Sequence, residues 1–272
     1  MQNLSGKEKR LLRRLQTEKG AMRGHMTALF RLPGRPEPDV ERPKGLRERL
    51  CALRLRTNDP LTGVLSSHSA QMELLRAKRQ EKWIPRTWAV GRKFREVQWK
   101  EMPESVVLRP DHLPGEKCLI DRSQKGWKKK AKHKFKKWMR RNAFAKTGYP
   151  EYAQTEPLVL VEESRPGRML HVLCIGGEVR AMYWQEEPGC VMDAFGGVLC
   201  ERSAKAPDPL SEIHSFCREV SADFPFMKLA LIIGEGQPKC TGISLREEME
   251  FFESIPAELD EELGSMLKLP NA

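Results

Sequence analysis

Two strand-forming runs, Met169–Ile175 and Glu178–Trp184, meet at the pair Gly176-Gly177. Such a link is a tight-hairpin signal, because glycine readily enters the positive-φ conformations that the favoured two-residue turns demand. A second pair of runs, Phe226–Ile233 and Lys239–Leu245, closes across Gly234-Glu235-Gly236. Between the two pairs, Leu210–Ser221 places Ile213, Phe216, Cys217 and Val220 on one helical side. Hairpin, helix, hairpin is not an alternating βα wind, so the expected class is α+β with antiparallel or mixed sheets.

The first half extends this pattern. Val106-Val107-Leu108 and Cys118-Leu119-Ile120 read as short strands around a polar loop, Arg109–Glu116, that holds Pro110, Pro114 and Gly115. Trp88-Ala89-Val90 opens another strand, and Leu158–Val161 is an apolar strand ending in Glu162-Glu163. Helices are expected over Leu46–Leu55, Ala70–Lys82 and Trp127–Phe144, and a short one where Leu4, Leu11, Leu12 and Leu15 share a face. Residues Arg31–Pro38 read as an extended linker. The 272 residues suffice for one large domain or two intimate subdomains. No apolar run of about 18 residues exists to span a membrane, and no apolar h-region marks a secretory signal. Seven cysteines, an odd number without a C-x-x-C pair, fit a reducing cytoplasm better than a disulfide framework or zinc.

Charge divides the chain. Residues 1–141 carry a balance of +22 and residues 142–272 one of −11. The first half therefore calls for an anionic partner: nucleotide, acidic polysaccharide, nucleic acid or anionic lipid headgroups. Its densest segment, Lys125–Arg141, has ten Lys/Arg and no acid, with Trp127, Ala131, Phe135 and Trp138 at helical spacing. The apolar stripe reads as a face docked on a core and the lysines as a solvated face. A nucleic-acid helix and a membrane-surface helix are the alternatives.

Two further places could carry chemistry. The Val106–Ile120 hairpin could close over phosphates, with Arg109 reaching them bidentately; the plain alternative is a surface hairpin. Glu162 and Glu163 could accept hydrogen bonds from ribose hydroxyls or bind Mg²⁺, or simply face solvent. The sequence has no nucleophile elbow, Walker A loop or G-x-G-x-x-G.

Taken in order, these segments resemble the TupA-like branch of the ATP-grasp amidoligases. The carrying residues are Trp83-Ile84-Pro85; Val107–Glu116; Trp138, Arg141 and Asn142; Pro157, Val159, Glu162 and Glu163; Ile175–Val179; Asp193; Asp223–Phe226; and Gly264–Pro270. Together they span about residues 46–270. The resemblance implies an ATP-grasp fold with a basic N-terminal extension, and a division into 1–45, a helical part 46–105, a lid subdomain 106–157 and a core subdomain 158–272. It implies ATP as ligand, with Arg109, His112 and the loop to Gly115 around the phosphates and Glu162 and Glu163 at the adenosine. Lys129, Lys132, Lys136 and Arg141 would hold an anionic small molecule or polysaccharide acceptor.

The departures from the family matter as much. Its lid lysine is Arg109 here, its glycine-rich loop keeps only Gly115, and its metal-holding acids are Ala230 and Gly242. Neither residue offers a side-chain oxygen to Mg²⁺, which counts against Mg²⁺ as a cofactor; Glu235, Glu247 and Glu248 are the candidate substitutes. Three functions follow. The first is an ATP-dependent carboxylate–amine ligase of cell-surface polysaccharide or peptide modification, in the cytoplasm or at the inner membrane face. The second is a catalytically inactive ATP-grasp-like protein that binds an anionic ligand or partner. The third, a nucleic-acid-binding protein, lacks any known module.

Overall fold

A computed structural model describes residues 27, 30–56, 65, 67–113, 115–141, 156–199, 205–245 and 249–270. The expected helix at Leu4–Leu15 lies outside them. The chain divides into two compact units, residues 1–58 with 257–272 and residues 59–256.

In the first unit, α1 (Leu46–Arg56) packs against a C-terminal helix, Ala257–Met266. Asp260 on that helix accepts the backbone N–H of Arg47 at 3.1 Å. The buried Arg47 guanidinium donates to the carbonyls of Phe30 and Pro36, both at 3.2 Å. Residues 31–38 are irregular, as expected, but they are no free linker: Leu32 is buried and Arg47 pins the segment.

The second unit begins with α2 (His68–Ala77), capped by Ser67, whose hydroxyl accepts from Ala70 N–H at 3.1 Å. The expected run to Lys82 stops early. Lys78 closes the helix, Arg79 takes a positive φ of 57°, and a separate 3₁₀ turn covers Glu81–Trp83. Then follow β1 (Thr87–Gly91), β2 (Ser105–Pro110), β3 (Cys118–Asp121), α3 (Trp127–Trp138), β4 (Val159–Glu163), β5 (Arg168–Ile175) and β6 (Glu178–Trp184). α4 (Leu210–Ser221), β7 (Phe226–Ile233), β8 (Lys239–Ser244) and α5 (Met249–Ser254) complete the unit; the C-terminal helix is α6.

The strands form two antiparallel four-stranded sheets, in the orders β1-β4-β2-β3 and β6-β5-β7-β8. Both expected late hairpins are present. β4 differs from expectation: it pairs with β1 and β2 in the first sheet instead of opening the second, so the lid sheet extends to Glu163. An apolar strand is compatible with either sheet, and only its neighbours decide.

The lid sheet is packed against α3 on one face, whereas the second sheet is buried on both. In the lid sheet, Val106, Leu108, Cys118, Ile120, Val159 and Val161 pack on Ala131, Phe135 and Trp138 of α3. The aromatic stripe of the basic helix is therefore core. In the second sheet, Leu170, Val172, Met227, Leu229, Leu231 and Cys240 pack with Phe216 and Val220 of α4 and Met72 and Leu75 of α2. Trp83 stacks on Phe216 at 4.0 Å between ring centroids.

Candidate functional site

The alternation that turns Val106 and Leu108 inward sends Val107 and Arg109 to the other face of β2, and Leu160 and Glu162 of β4 lie beside them. There the Arg109 Nε donates to Glu162 Oε2 at 2.9 Å, and His68 Nε2 lies 2.7 Å from Glu162 Oε1. All three groups are largely buried, with Glu162 only 2% exposed. Burial alone would raise the Glu162 carboxyl, but the hydrogen bond and charge of His68, then the charge and hydrogen bond of Arg109, outweigh it and hold the group at about 2.

His68 brings α2 to this triad, and the start of that helix is fastened to the lid. His68 N–H donates to the Asp111 carbonyl at 3.3 Å and Ser69 N–H to the Asp111 carboxylate at 2.7 Å. One turn on, the Gln71 side-chain carbonyl accepts Ile243 N–H of β8 at 2.9 Å. The helix is thus a strut between the two sheets.

Away from the buried Leu160 and Glu162, this face of the lid sheet is unfilled, and it is part apolar and part cationic. Val90 and Leu119 are about half exposed (51% and 52%), and Val107 lies in the same cross-strand row as Leu119. Beside Arg109, Lys117 leads into β3. It reaches the surface but is crowded; partial desolvation first, then repulsion from Arg109, push its ammonium down, with Glu186 opposing. Two cations beside an apolar strip can receive an anion attached to a flat apolar body.

The other expected lid residues have different places. His112 is buried, and its Nε2 lies 3.0 Å from the Trp138 carbonyl oxygen at the end of α3, so it ties the loop to the helix. Gly115 takes a φ of 77°, with open space around it. Glu163 pairs with Arg165 at 3.1 Å in the short link between the sheets, and Arg165 also donates to the Gln237 carbonyl at 3.0 Å. Arg141 pairs with Glu116 at 2.6 Å, while Lys129, Lys132 and Lys136 are exposed on α3.

In the second sheet, the face away from α4 carries a cross-strand row of Tyr183, His171, Ala230 and Gly242, one residue from each strand. His171 stacks on Tyr183 and Tyr183 on Phe251, each at 4.9 Å. Lys228, two residues before Ala230, is buried on the same face. Among the described residues, no group of three or more His, Cys, Asp or Glu could hold a metal ion. Glu247 and Glu248 lie outside them, and Glu235 is exposed in the β7–β8 turn.

The sequence reading missed His68, Lys117 and Lys228. Lys117 could have been found as the cation that follows the loop. His68 bears no local signal, since its partners are distant in the chain.

No family model and no curated protein matches this chain. Solved structures do. An L-amino acid ligase from Bacillus licheniformis is similar at a TM-score of 0.53 and 12% identity, over 85% of this chain and 60% of that one. The ATP-grasp ligase PsnB, complexed with precursor peptide PsnA2 and AMPPNP, is similar at 0.51 and 12%, over 82% and 64%. PsnB with a phosphomimetic variant of its minimal precursor, Mg and ADP gives 0.50 and 13%, over 98% and 74%. The chain thus spans less than two thirds of the length of the first two. The likeness establishes the fold: two antiparallel sheets with helices in an ATP-grasp arrangement.

Proposed function

We propose that this chain is an ATP-grasp nucleotide-binding protein that takes ATP on the unfilled face of the lid sheet without the usual metal clamp. The base lies against Val107 and Leu119, neighbours across β2 and β3, and the phosphates face Arg109 and Lys117. Glu162 positions Arg109: its carboxylate is already committed to His68 and Arg109. The observation that carries the reading is the pairing of two cations with exposed apolar side chains on one sheet face.

Mg²⁺ does not fit the described donor set. The two positions where the TupA-like amidoligases that the sequence resembles keep acids are Ala230 and Gly242, paired across β7 and β8. A hard cation needs oxygen ligands, and phosphoryl transfer needs it to neutralise the developing charge. Binding without ligase chemistry is therefore the reading favoured here. The fold also supports a second reading, an active carboxylate–amine ligase with an acceptor in cell-surface polysaccharide or peptide modification, as the likeness to TupA-like amidoligases implies.

Calorimetric titration with ATP, with Mg²⁺ and with chelator, tests both. Binding that survives chelation and is lost in Arg109→Ala supports the first reading. Tight binding only with Mg²⁺, together with ATP consumption, supports the second.

A further inference from the structure

A second feature lies on the α3 side of the lid. Phe94, Phe135 and Met139 floor an open hollow of about 570 Å³, within the size range of ligand pockets. Its rim is entirely basic: Arg92, Lys93, Arg95, Lys132, Lys136 and Arg140. No carboxylate lines it. Arg92 is ion-paired with Glu156, but Lys93, Arg95, Lys132, Lys136 and Arg140 form no ion pair among the described residues. Glu96 of the adjoining turn is turned to the backbone N–H groups of Arg92 and Lys93, at 2.7 and 3.1 Å.

A ligand for this hollow must be negatively charged and must bring an apolar group with it. Three classes qualify by charge, and the geometry separates them. A nucleic-acid base needs a bare aromatic face. Phe94 already carries Trp99 stacked at 4.8 Å and the Lys132 ammonium 5.3 Å from its ring centre, and Phe135 is buried. A membrane-surface helix must push its apolar side into the headgroup boundary. Here the apolar stripe of α3 is turned into the protein. A peptide side chain, by contrast, needs only the apolar floor of the hollow.

We propose that this hollow docks an acidic peptide segment, with one apolar side chain inserted against Phe94, Phe135 and Met139 and flanking carboxylates on the lysine and arginine rim. Burial of the anchor supplies affinity, and the rim supplies steering and register. The site lies on the side of the lid sheet opposite Arg109, so it does not rest on the nucleotide reading, and its occupancy needs no ATP.

The test is fluorescence anisotropy with the full chain and no nucleotide. The probes are a fluorescein-labelled glutamate-rich peptide with one central Phe, and the same peptide with that Phe replaced by Ser. The Phe peptide should bind at least about tenfold more tightly than the Ser peptide. Lys132→Glu with Lys136→Glu should weaken it by about tenfold or more, while Lys129→Glu, on the same helix but outside the hollow, should change it by less than about threefold. Phosphatidylglycerol vesicles and a single-stranded oligonucleotide should compete poorly. Equal binding of the two peptides, equal losses in Lys129→Glu and the paired variant, or retention of vesicles or oligonucleotide in preference to peptide would each overturn the proposal. All three lysines are exposed, so the variants keep the fold, and unchanged circular dichroism verifies it.

Discussion

A Cβ placed on Gly242 would lie 3.7 Å from the Cβ of Ala230, the residue it faces across the β7–β8 ladder. The two positions without acids are therefore neighbours on one sheet face, at ordinary van der Waals distance. Side chains introduced at both would project together, with no backbone in the way.

That proximity makes the metal question experimental. Ala230→Asp with Gly242→Glu should make nucleotide binding Mg²⁺-dependent, strengthening it by about tenfold or more with Mg²⁺ over chelator. The unmodified chain should differ by less than about threefold between the same conditions. Calorimetry on both proteins decides. A native protein that binds only with Mg²⁺ would refute the proposal.

The Glu162 triad should be costly to break from one side. Glu162→Gln leaves the Arg109 charge buried without its counter-charge, a change worth about 3–5 kcal/mol. Thermal and urea denaturation should show the loss. A neutral outcome would mean that the triad is solvated in solution.

The same triad predicts an acid transition. The Glu162 carboxyl is held at about 2, below its ordinary value of 4.5. A depressed carboxylate stabilises the fold fully above the ordinary value, and that contribution is lost as pH falls from about 4.5 towards 2. Its size is on the order of 3 kcal/mol. Urea midpoints measured through this window should fall more steeply for the native chain than for Glu162→Gln, because the variant has no carboxylate to protonate.

In the first unit, a Cβ on Gly264 would run into the Lys44 carbonyl oxygen and lie 2.5 Å from the Gly45 carbonyl carbon. Both contacts are backbone and cannot rotate away. Gly264→Ala should therefore push α6 off α1 and cost about 1–3 kcal/mol, by analogy with overpacking of a filled core. An unchanged melting temperature would contradict that close approach.

The basic helix should separate into two behaviours. Phe135→Ala removes a ring that is 2% exposed and should cost about 3–5 kcal/mol. Reversal of Lys129, Lys132 and Lys136 to Glu should leave stability within about 0.5 kcal/mol, since all three are exposed. Reduced retention on heparin without a shifted melting temperature would satisfy the second expectation.

Much of this was legible locally. The Gly176-Gly177 hairpin, the second hairpin around Gly234-Glu235-Gly236 and the α4 stripe of Ile213, Phe216, Cys217 and Val220 lie close to where periodicity and turn chemistry place them. So does the docking of Trp138 and Phe135, since an aromatic stripe on a basic helix has little else to bury. The early stop of α2 was not legible: Ala70–Lys82 carries helix formers throughout, and the positive φ of Arg79 is imposed by the turn into Trp83.

The candidate site was legible as residue types and not as roles. Arg109 and Glu162 are 53 positions apart, and their 2.9 Å contact exists because β4 chose β2 as a neighbour. The resemblance implied His112 as a phosphate ligand, and in the structure its Nε2 lies 3.0 Å from the Trp138 carbonyl oxygen, a contact no local pattern announces. Sequence by itself determined most of the strands and helices between Leu46 and Ser244 and which face of each is apolar, because those depend on residues a few positions apart; α5 and α6 were not read from it. Tertiary structure alone decided which sheet β4 joined, that His68 reached Glu162, and that Ala230 met Gly242. Strand pairing is a choice among distant partners of similar local pattern, settled by the free energy of the whole packed core.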